Sequence, residues 1–133
     1  MEGDCTILIG DRNPHVREFL RREMEAEGYH VQLAKNGREI LKGIYRTDRL
    51  DLVILDLDLP DMDDLDVLGG LENRLPNLPV VIHTYRSEYM NHPGVLGIAT
   101  VVEKTGKSID DLKRVVTEIL RKTHSETAKG KEE

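Results

Sequence analysis

The sequence predicts an α/β fold in which a five-stranded parallel sheet is covered by helices. Short β-branched runs alternate with longer amphipathic runs, and a length of 133 residues fits one compact domain. The single cysteine cannot form a disulfide within the chain, and none is needed, because a chain of this length buries roughly two-thirds of the surface that it exposes when unfolded. The predicted strands are Thr6–Ile9, His30–Leu33, Leu52–Leu55, Val80–Ile82 and Thr100–Val102.

The first two helices are predicted from the residues at their ends. Asn13 is a suitable N-cap, Pro14 fits the first helical turn, and Gly28 fits the position just past the end of the helix. A second helix begins at the capping-box spacing of Asn36 and Glu39. Both segments have an apolar face and a charged face, which is typical of helices that pack against a sheet.

The remaining helices are predicted from the spacing of apolar residues and from the residues that interrupt or end a helix. The segment 87–98 predicts only a short fourth helix, because Pro93 and Gly94 interrupt it. The last helix opens at Ser108 and ends near Lys122. Leucines three or four residues apart predict the third helix: Leu65, Leu68, Leu71 and Leu75.

Charged residues without apolar spacing follow Thr123. We therefore expect one domain over residues 1–123 and, at 124–133, a disordered tail or the start of a linker. Whether the chain is a whole regulator or a part of one stays open at this point, as does its oligomeric state.

The composition limits the classes of function. The chain has 19 Lys+Arg against 25 Asp+Glu, a net charge of −6, no Trp and one Phe. A nucleic-acid surface needs positive charge and usually stacking aromatic rings, so no direct nucleic-acid binding is expected. No apolar run approaches the ~20 residues of a membrane span, and the acidic start is unlike a secretory signal. We expect a cytoplasmic protein that does not contact the membrane.

Polar side chains follow four of the five predicted strands. Asp11 follows the first strand, Asp56 the third, Thr84 the fourth and Lys104 the fifth. Parallel α/β sheets bind ligands at the carboxyl ends of their strands. The sequence therefore predicts a polar site at this edge of the sheet.

This order of residues resembles that of response regulator receiver domains, as found in chemotaxis and two-component signalling. The resemblance covers about Thr6 to Arg121, and its most specific stretch is Asp51–Pro60, DLVILDLDLP, followed by Met62 and Asp63. It implies a flavodoxin-like three-layer sandwich with strand order 2-1-3-4-5 and helices on both faces of the sheet.

The resemblance also implies a role in a two-component phosphorelay. Asp56 would accept a phosphoryl group from a histidine kinase or a phosphotransfer protein, Thr84 would be the switch residue, and Lys104 would contact the phosphate. A carboxylate can attack a phosphohistidine only if cations neutralise the charge on the transferred group. The domain would then act on a downstream protein partner, and it would not be an enzyme beyond this self-catalysed transfer.

The family usually also holds Mg²⁺, with the acceptor Asp and two consecutive acids after the first strand. Here Asp11 keeps the first acid and Arg12 replaces the second, which is the direct metal ligand. The metal ligands implied are Asp11, Asp56 and Asp58, and Arg12 opposes the metal. Two unit charges about 4 Å apart interact by roughly 4 kcal/mol at an effective dielectric of 20, attractively between Arg12 and Asp56 and repulsively between Arg12 and Mg²⁺.

Two functions remain open at this point. The first is the phosphoacceptor described above. The second is a phosphorylation-independent pseudo-receiver, a protein-interaction module in which Arg12 replaces the Mg²⁺ ion. An Arg12 side chain directed into the site would pair with Asp56, whereas one directed outward would leave the site to Asp11, Asp58 and water.

Other positions also depart from the family pattern. Tyr85 follows Thr84 where a small residue is usual, and we expect it to cover the site. Thr105–Gly106 follow Lys104 where the family has a proline, so we expect a different loop there.

His83 is expected to face helix packing on the side of its strand away from Thr84.

Overall fold

The strands pair in one parallel sheet with the order β2-β1-β3-β4-β5. The computed structural model describes residues 5–46, 49–56, 58–61, 66, 69–70, 78–85, 99–105 and 108–132. The sheet order and the α/β class confirm the predictions. Along the chain the elements are β1 (Thr6–Gly10), α1 (Pro14–Ala26), β2 (His30–Ala34), α2 (Gly37–Arg46), β3 (Leu52–Leu55), β4 (Val80–Thr84), β5 (Thr100–Glu103) and α3 (Ser108–Glu132).

Several strands extend beyond the apolar runs that predicted them. β4 continues through His83 to Thr84, and β5 continues to Glu103, with Thr84 paired to Glu103. Strand pairing depends on backbone N–H and C=O groups, so a polar side chain does not end it. This extension brings Thr84 into the sheet directly beside the site.

The core lies in two layers, one on each face of the sheet. Successive strand residues point to opposite faces, so that Leu8 packs with α2 while Ile7 and Ile9 pack with α1 and α3. The layer under α2 includes Leu8, Ile40, Ile44, Val53, Leu55 and Ile82. The layer under α1 and α3 includes Ile7, Ile9, Leu20, Met24, Ile54, Val81, Leu112 and Val116.

The predicted ends of α1 are confirmed. The Asn13 side chain accepts hydrogen bonds from the backbone N–H groups of His15 and Val16. The helix ends at Ala26, and Gly28 has a φ of 97°, in the region that favours glycine. These two ends define where the chain enters and leaves the helix that packs beside the site.

The predicted start of α2 is confirmed as well. Asn36 Oδ1 accepts from the Glu39 N–H at 2.9 Å, and the Glu39 carboxylate accepts from the Lys35 N–H at 2.9 Å. Asp61, in the segment after β3, accepts from the N–H groups of Gly37 and Arg38. The helix is therefore capped both by its own sequence and by a distant aspartate.

The predicted third and fourth helices lie largely outside the described residues. Within 65–75, the backbone of Asp66, Gly69 and Gly70 is helical, and none of 87–98 is described. Among the described helices, none combines the length and the apolar character needed to cross a bilayer.

The C-terminal helix is longer than predicted. It begins at Ser108, as expected, but continues to Glu132 instead of ending near Lys122. The backbone of 124–132 is thus helical where the sequence predicted a disordered tail or the start of a linker. Each added residue forms another backbone hydrogen bond, and no proline is present to stop the helix, so the loss of an apolar face does not end it. The domain boundary at 1–123 stays a prediction.

Candidate functional site

The carboxyl ends of β1, β3 and β5 bring two aspartates and a lysine together. The Asp56 N–H donates to the Gly10 carbonyl at 2.9 Å, so the sheet pairing continues just beyond the strands. Lys104 Nζ lies 2.7 Å from Asp11 Oδ2 and 2.6 Å from Asp56 Oδ2. One ammonium group therefore bridges both acids, which are 45 residues apart in the chain.

This cluster is buried. Asp11, Asp56 and Lys104 are 2%, 6% and 8% exposed. Burial alone would lower the pKa of Lys104, but the hydrogen bonds and charges of Asp11 and Asp56 outweigh burial and raise that pKa above 10.5. Lys104 is therefore a fixed cation at neutral pH.

Backbone groups hold the other oxygens of the two acids. Asp11 Oδ1 accepts from the Asn13 N–H at 2.9 Å, and Asp56 Oδ1 accepts from the Asp58 N–H at 3.0 Å. All four carboxylate oxygens of the pair thus accept a hydrogen bond. In addition, Arg17 Nη1 donates to the Asp11 carbonyl at 2.7 Å, a contact that nothing in the sequence pattern indicates.

Arg12 lies at the mouth of the site and pairs with Asp58. Its Nη1 is 3.6 Å from Asp58 Oδ2, and the two side chains are 54% and 59% exposed. The side chain therefore points outward. The sequence left open whether Arg12 points inward to Asp56 or outward, away from the site. The structure shows the outward orientation, but Arg12 does not leave Asp58 to water. Within the described residues its ion pair is with Asp58 rather than Asp56.

Thr84 and Tyr85 border the site at the end of β4. Thr84 is buried, and its carbonyl accepts from the Lys104 N–H at 2.8 Å. Tyr85 is 72% exposed, and the centre of its ring lies 5.1 Å from Lys104 Nζ, within the range of a cation–π contact. Tyr85 thus lies over the lysine, as its position in the sequence predicted.

His83 faces the helices α1 and α3, and helix packing was predicted for this side chain. Its Nε2 lies 3.2 Å from Ser108 Oγ at the start of α3, and both side chains are buried. Burial, and then the positive charge of Lys104, lower the pKa of His83 from 6.5 to about 4, although Asp56 acts in the other direction. His83 also lines a cavity of about 150 Å³ beside Phe19 of α1. The sequence showed Ser108 only as a helix start.

The donor set does not fit a divalent cation. Mg²⁺ needs several hard oxygen ligands in near-octahedral geometry, but Lys104 is shared by Asp11 and Asp56, and Arg12 engages Asp58. Within the part of the chain that the structure describes, no three His, Cys, Asp or Glu side chains are grouped to hold a metal. The implied ligand set of Asp11, Asp56 and Asp58 stays a prediction.

Known proteins are similar to this chain in sequence and in fold. Response regulator MprA of Mycolicibacterium vanbaalenii is 41% identical over 80 residues, which are 60% of this chain and 34% of MprA. The match therefore spans about a third of the curated relative. TrrA of Thermotoga maritima, a response regulator solved in complex with Mg²⁺-BeF, is 31% identical with a TM-score of 0.79 and covers 86% of this chain and 98% of its own.

A second structure places such a fold beside a kinase. In the complex of histidine kinase ThkA with TrrA, the matching chain is 32% identical with a TM-score of 0.78, over 87% of this chain and 98% of that one. The family model described as the response regulator receiver domain matches residues 7–117. With the sheet order and the paired acids at the strand ends, this match shows that the chain belongs to the response regulator receiver domain family.

Proposed function

We propose that Asp56 accepts a phosphoryl group from a phosphohistidine of a histidine kinase or a phosphotransfer protein. The observation that carries this proposal is Lys104 Nζ, a buried cation 2.6 Å from Asp56 Oδ2. Phosphoryl transfer depends on positioning and on cations that neutralise the transferred group. Two similar proteins support a histidine kinase as the donor: TrrA, which was solved in complex with the histidine kinase ThkA, and MprA, which is a response regulator.

The neighbouring residues hold the acceptor ready for attack. The Asp58 N–H and Lys104 orient the carboxylate of Asp56, and Asp11 keeps Lys104 between the strands. Thr84 is the proposed switch residue, since its carbonyl contacts the backbone of Lys104. A change at this contact would reach β5 and a downstream protein partner, and the chain would act as a phosphoacceptor rather than as an enzyme on other substrates.

Cys5, a buried thiol, suits the reducing cytoplasm.

A second candidate is the phosphorylation-independent pseudo-receiver. The observation that favours it is the fully partnered set of charges: Lys104 engages both buried acids, and Arg12 engages Asp58. A site whose charged side chains are already paired in this way holds a stable surface for a partner without a phosphoryl group. In this function Asp56 would serve to hold Lys104 in place.

Intact mass after treatment with phosphoramidate, an N-phosphoryl donor, separates the two functions. In buffer containing Mg²⁺, the wild-type chain is expected to gain one phosphoryl group, and Asp56→Asn is expected to gain none because the attacking carboxylate is gone. Asp110→Asn, at an exposed position of α3, is the matched control and is expected to react like the wild type. A wild-type chain whose mass does not change would exclude the phosphoacceptor and leave the pseudo-receiver.

A further inference from the structure

Two positively charged side chains are linked to Asp56, Lys104 by direct contact and Arg12 through Asp58. Lys104 contacts Asp56 Oδ2 from the buried side. On the exposed side, the Asp58 N–H is 3.0 Å from Asp56 Oδ1, and the Asp58 carboxylate is 3.6 Å from the guanidinium of Arg12. The contacts that link Arg12 to the acceptor carboxylate thus pass through one residue, Asp58.

The pairing of Arg12 with Asp58 is weak enough to be exchanged. Both side chains are more than half exposed, and ion pairs in such positions contribute little to stability because water screens them. Asp58 can return to water when Arg12 leaves it. The planar guanidinium then has donors that match two oxygens of a phosphoryl group, which makes arginine a better phosphate ligand than a single ammonium.

We propose that Asp56 accepts its phosphoryl group without a metal ion, and that Arg12 together with Lys104 neutralises the transferred group. This inference rests on the proposed phosphoacceptor function. A carboxylate oxygen of Asp56 forms a bond to phosphorus while the P–N bond of the donor breaks. The electron pair of that bond stays on the nitrogen, and the donor leaves as neutral imidazole when its other ring nitrogen carries a proton.

The charges of the site show why this step needs both cations. Before transfer, three carboxylates (Asp11, Asp56 and Asp58) face the two cations Lys104 and Arg12. Transfer converts the singly charged carboxylate of Asp56 into an acyl phosphate that carries more negative charge. Arg12 supplies the positive charge that the new group needs, at the place where the donor set does not fit Mg²⁺.

The test is the rate of phosphorylation by phosphoramidate in excess EDTA, followed by intact mass. The wild-type chain is expected to react in EDTA at a rate that added Mg²⁺ does not increase. Arg12→Gln is expected to lower the rate in EDTA about 100-fold, because a charged donor to the transferred group is lost. Arg12→Lys, which keeps the charge without the planar fork, is expected to recover part of the rate.

The matched control is Arg22→Gln, which removes an exposed arginine of α1 and is expected to leave the rate unchanged. A wild-type chain that reacts only when Mg²⁺ is added would overturn the metal-free step and leave the phosphoacceptor function intact. An Arg12→Gln variant as fast as the wild type in EDTA would also overturn it. A wild-type chain that reacts under neither condition would overturn both proposals.

Discussion

Two neighbouring strand ends hold buried ionisable side chains that differ in charge. Lys104 has two carboxylate partners, which outweigh the cost of burial, and it stays charged. His83 Nε2 has a hydroxyl partner at 3.2 Å, and among the described residues its buried Nδ1 has no hydrogen-bond partner. The two carboxylates thus keep Lys104 protonated, whereas burial and the positive charge of Lys104 favour the neutral form of His83.

The neutral state of His83 makes the stability of the fold depend on pH. Because its pKa is about 4 in the folded chain and 6.5 once the chain unfolds, the unfolded chain takes up a proton between these values that the folded chain does not. His83 therefore lowers the free energy of unfolding by about 3 kcal/mol in total as the pH falls from 6.5 to 4. Urea unfolding at several pH values measures this loss.

The variant for this prediction is His83→Gln, which cannot take up a proton. Its free energy of unfolding is expected to fall less than that of the wild type between pH 6.5 and 4. The control is His30→Gln, at an exposed position of β2, which should keep the wild-type pH dependence. Equal pH dependence of His83→Gln and the wild type would show that His83 is not the residue responsible.

Helix ends show how local and distant contacts combine at the scale of an element. Asn13 caps α1 from the adjacent position, and the sequence predicted this contact. Asp61 caps α2 from 24 residues away, at 2.7 Å from the Gly37 N–H. This second contact forms only because β3 lies beside β1, which brings the segment after β3 next to the start of α2.

Substitution at Asn13 tests the cap of α1. Asn13→Ala is expected to lower the free energy of unfolding by about 1 kcal/mol, since two backbone N–H groups lose their side-chain acceptor. Asn13→Ser retains an acceptor and should be close to the wild type. The backbone N–H that binds Asp11 Oδ1 is present in both variants, so the measurement in urea reports the cap alone. Equal stability of the two variants would show that the side-chain cap contributes nothing.

The whole molecule depends on close packing between the sheet and the helix layer. Gly10, at the end of β1, allows α2 to approach closely, because a Cβ atom there would lie 2.5 Å from Ile40 Cδ1 and 2.7 Å from Ile40 Cγ1. Ile40 is fully buried, so the layer has little room to move. Gly10 precedes Asp11, and the same packing thus sets the position of the site.

Gly10→Ala is expected to lower the free energy of unfolding by about 1–3 kcal/mol through overpacking. Gly69→Ala is the control, since none of the described residues lies within 4 Å of the added atom and the backbone there is helical. A double mutant of Gly10→Ala with Ile40→Ala should be less destabilised than the sum of the two single variants. Strict additivity in urea unfolding would contradict the contact.

Short-range patterns were sufficient to predict the strands, the ends of α1, and the polar residues that follow the strands. These features depend on local spacing and on neighbouring backbone groups, which a single sequence shows. A helix can continue without an apolar face, as the backbone of 124–132 does, and a pattern of apolar residues does not show such an extension.

The sequence by itself determined that Asp11, Asp56 and Lys104 follow strands of a parallel sheet and that Thr84 lies at the end of one, since alternation and turn residues act over a few positions. Only the tertiary structure decided which charges meet: Lys104 between Asp11 and Asp56, and Arg12 on Asp58. The physical reason is that a long, flexible side chain takes the direction in which it finds a partner. Its partners come from other strands, and only the assembled sheet places them within reach.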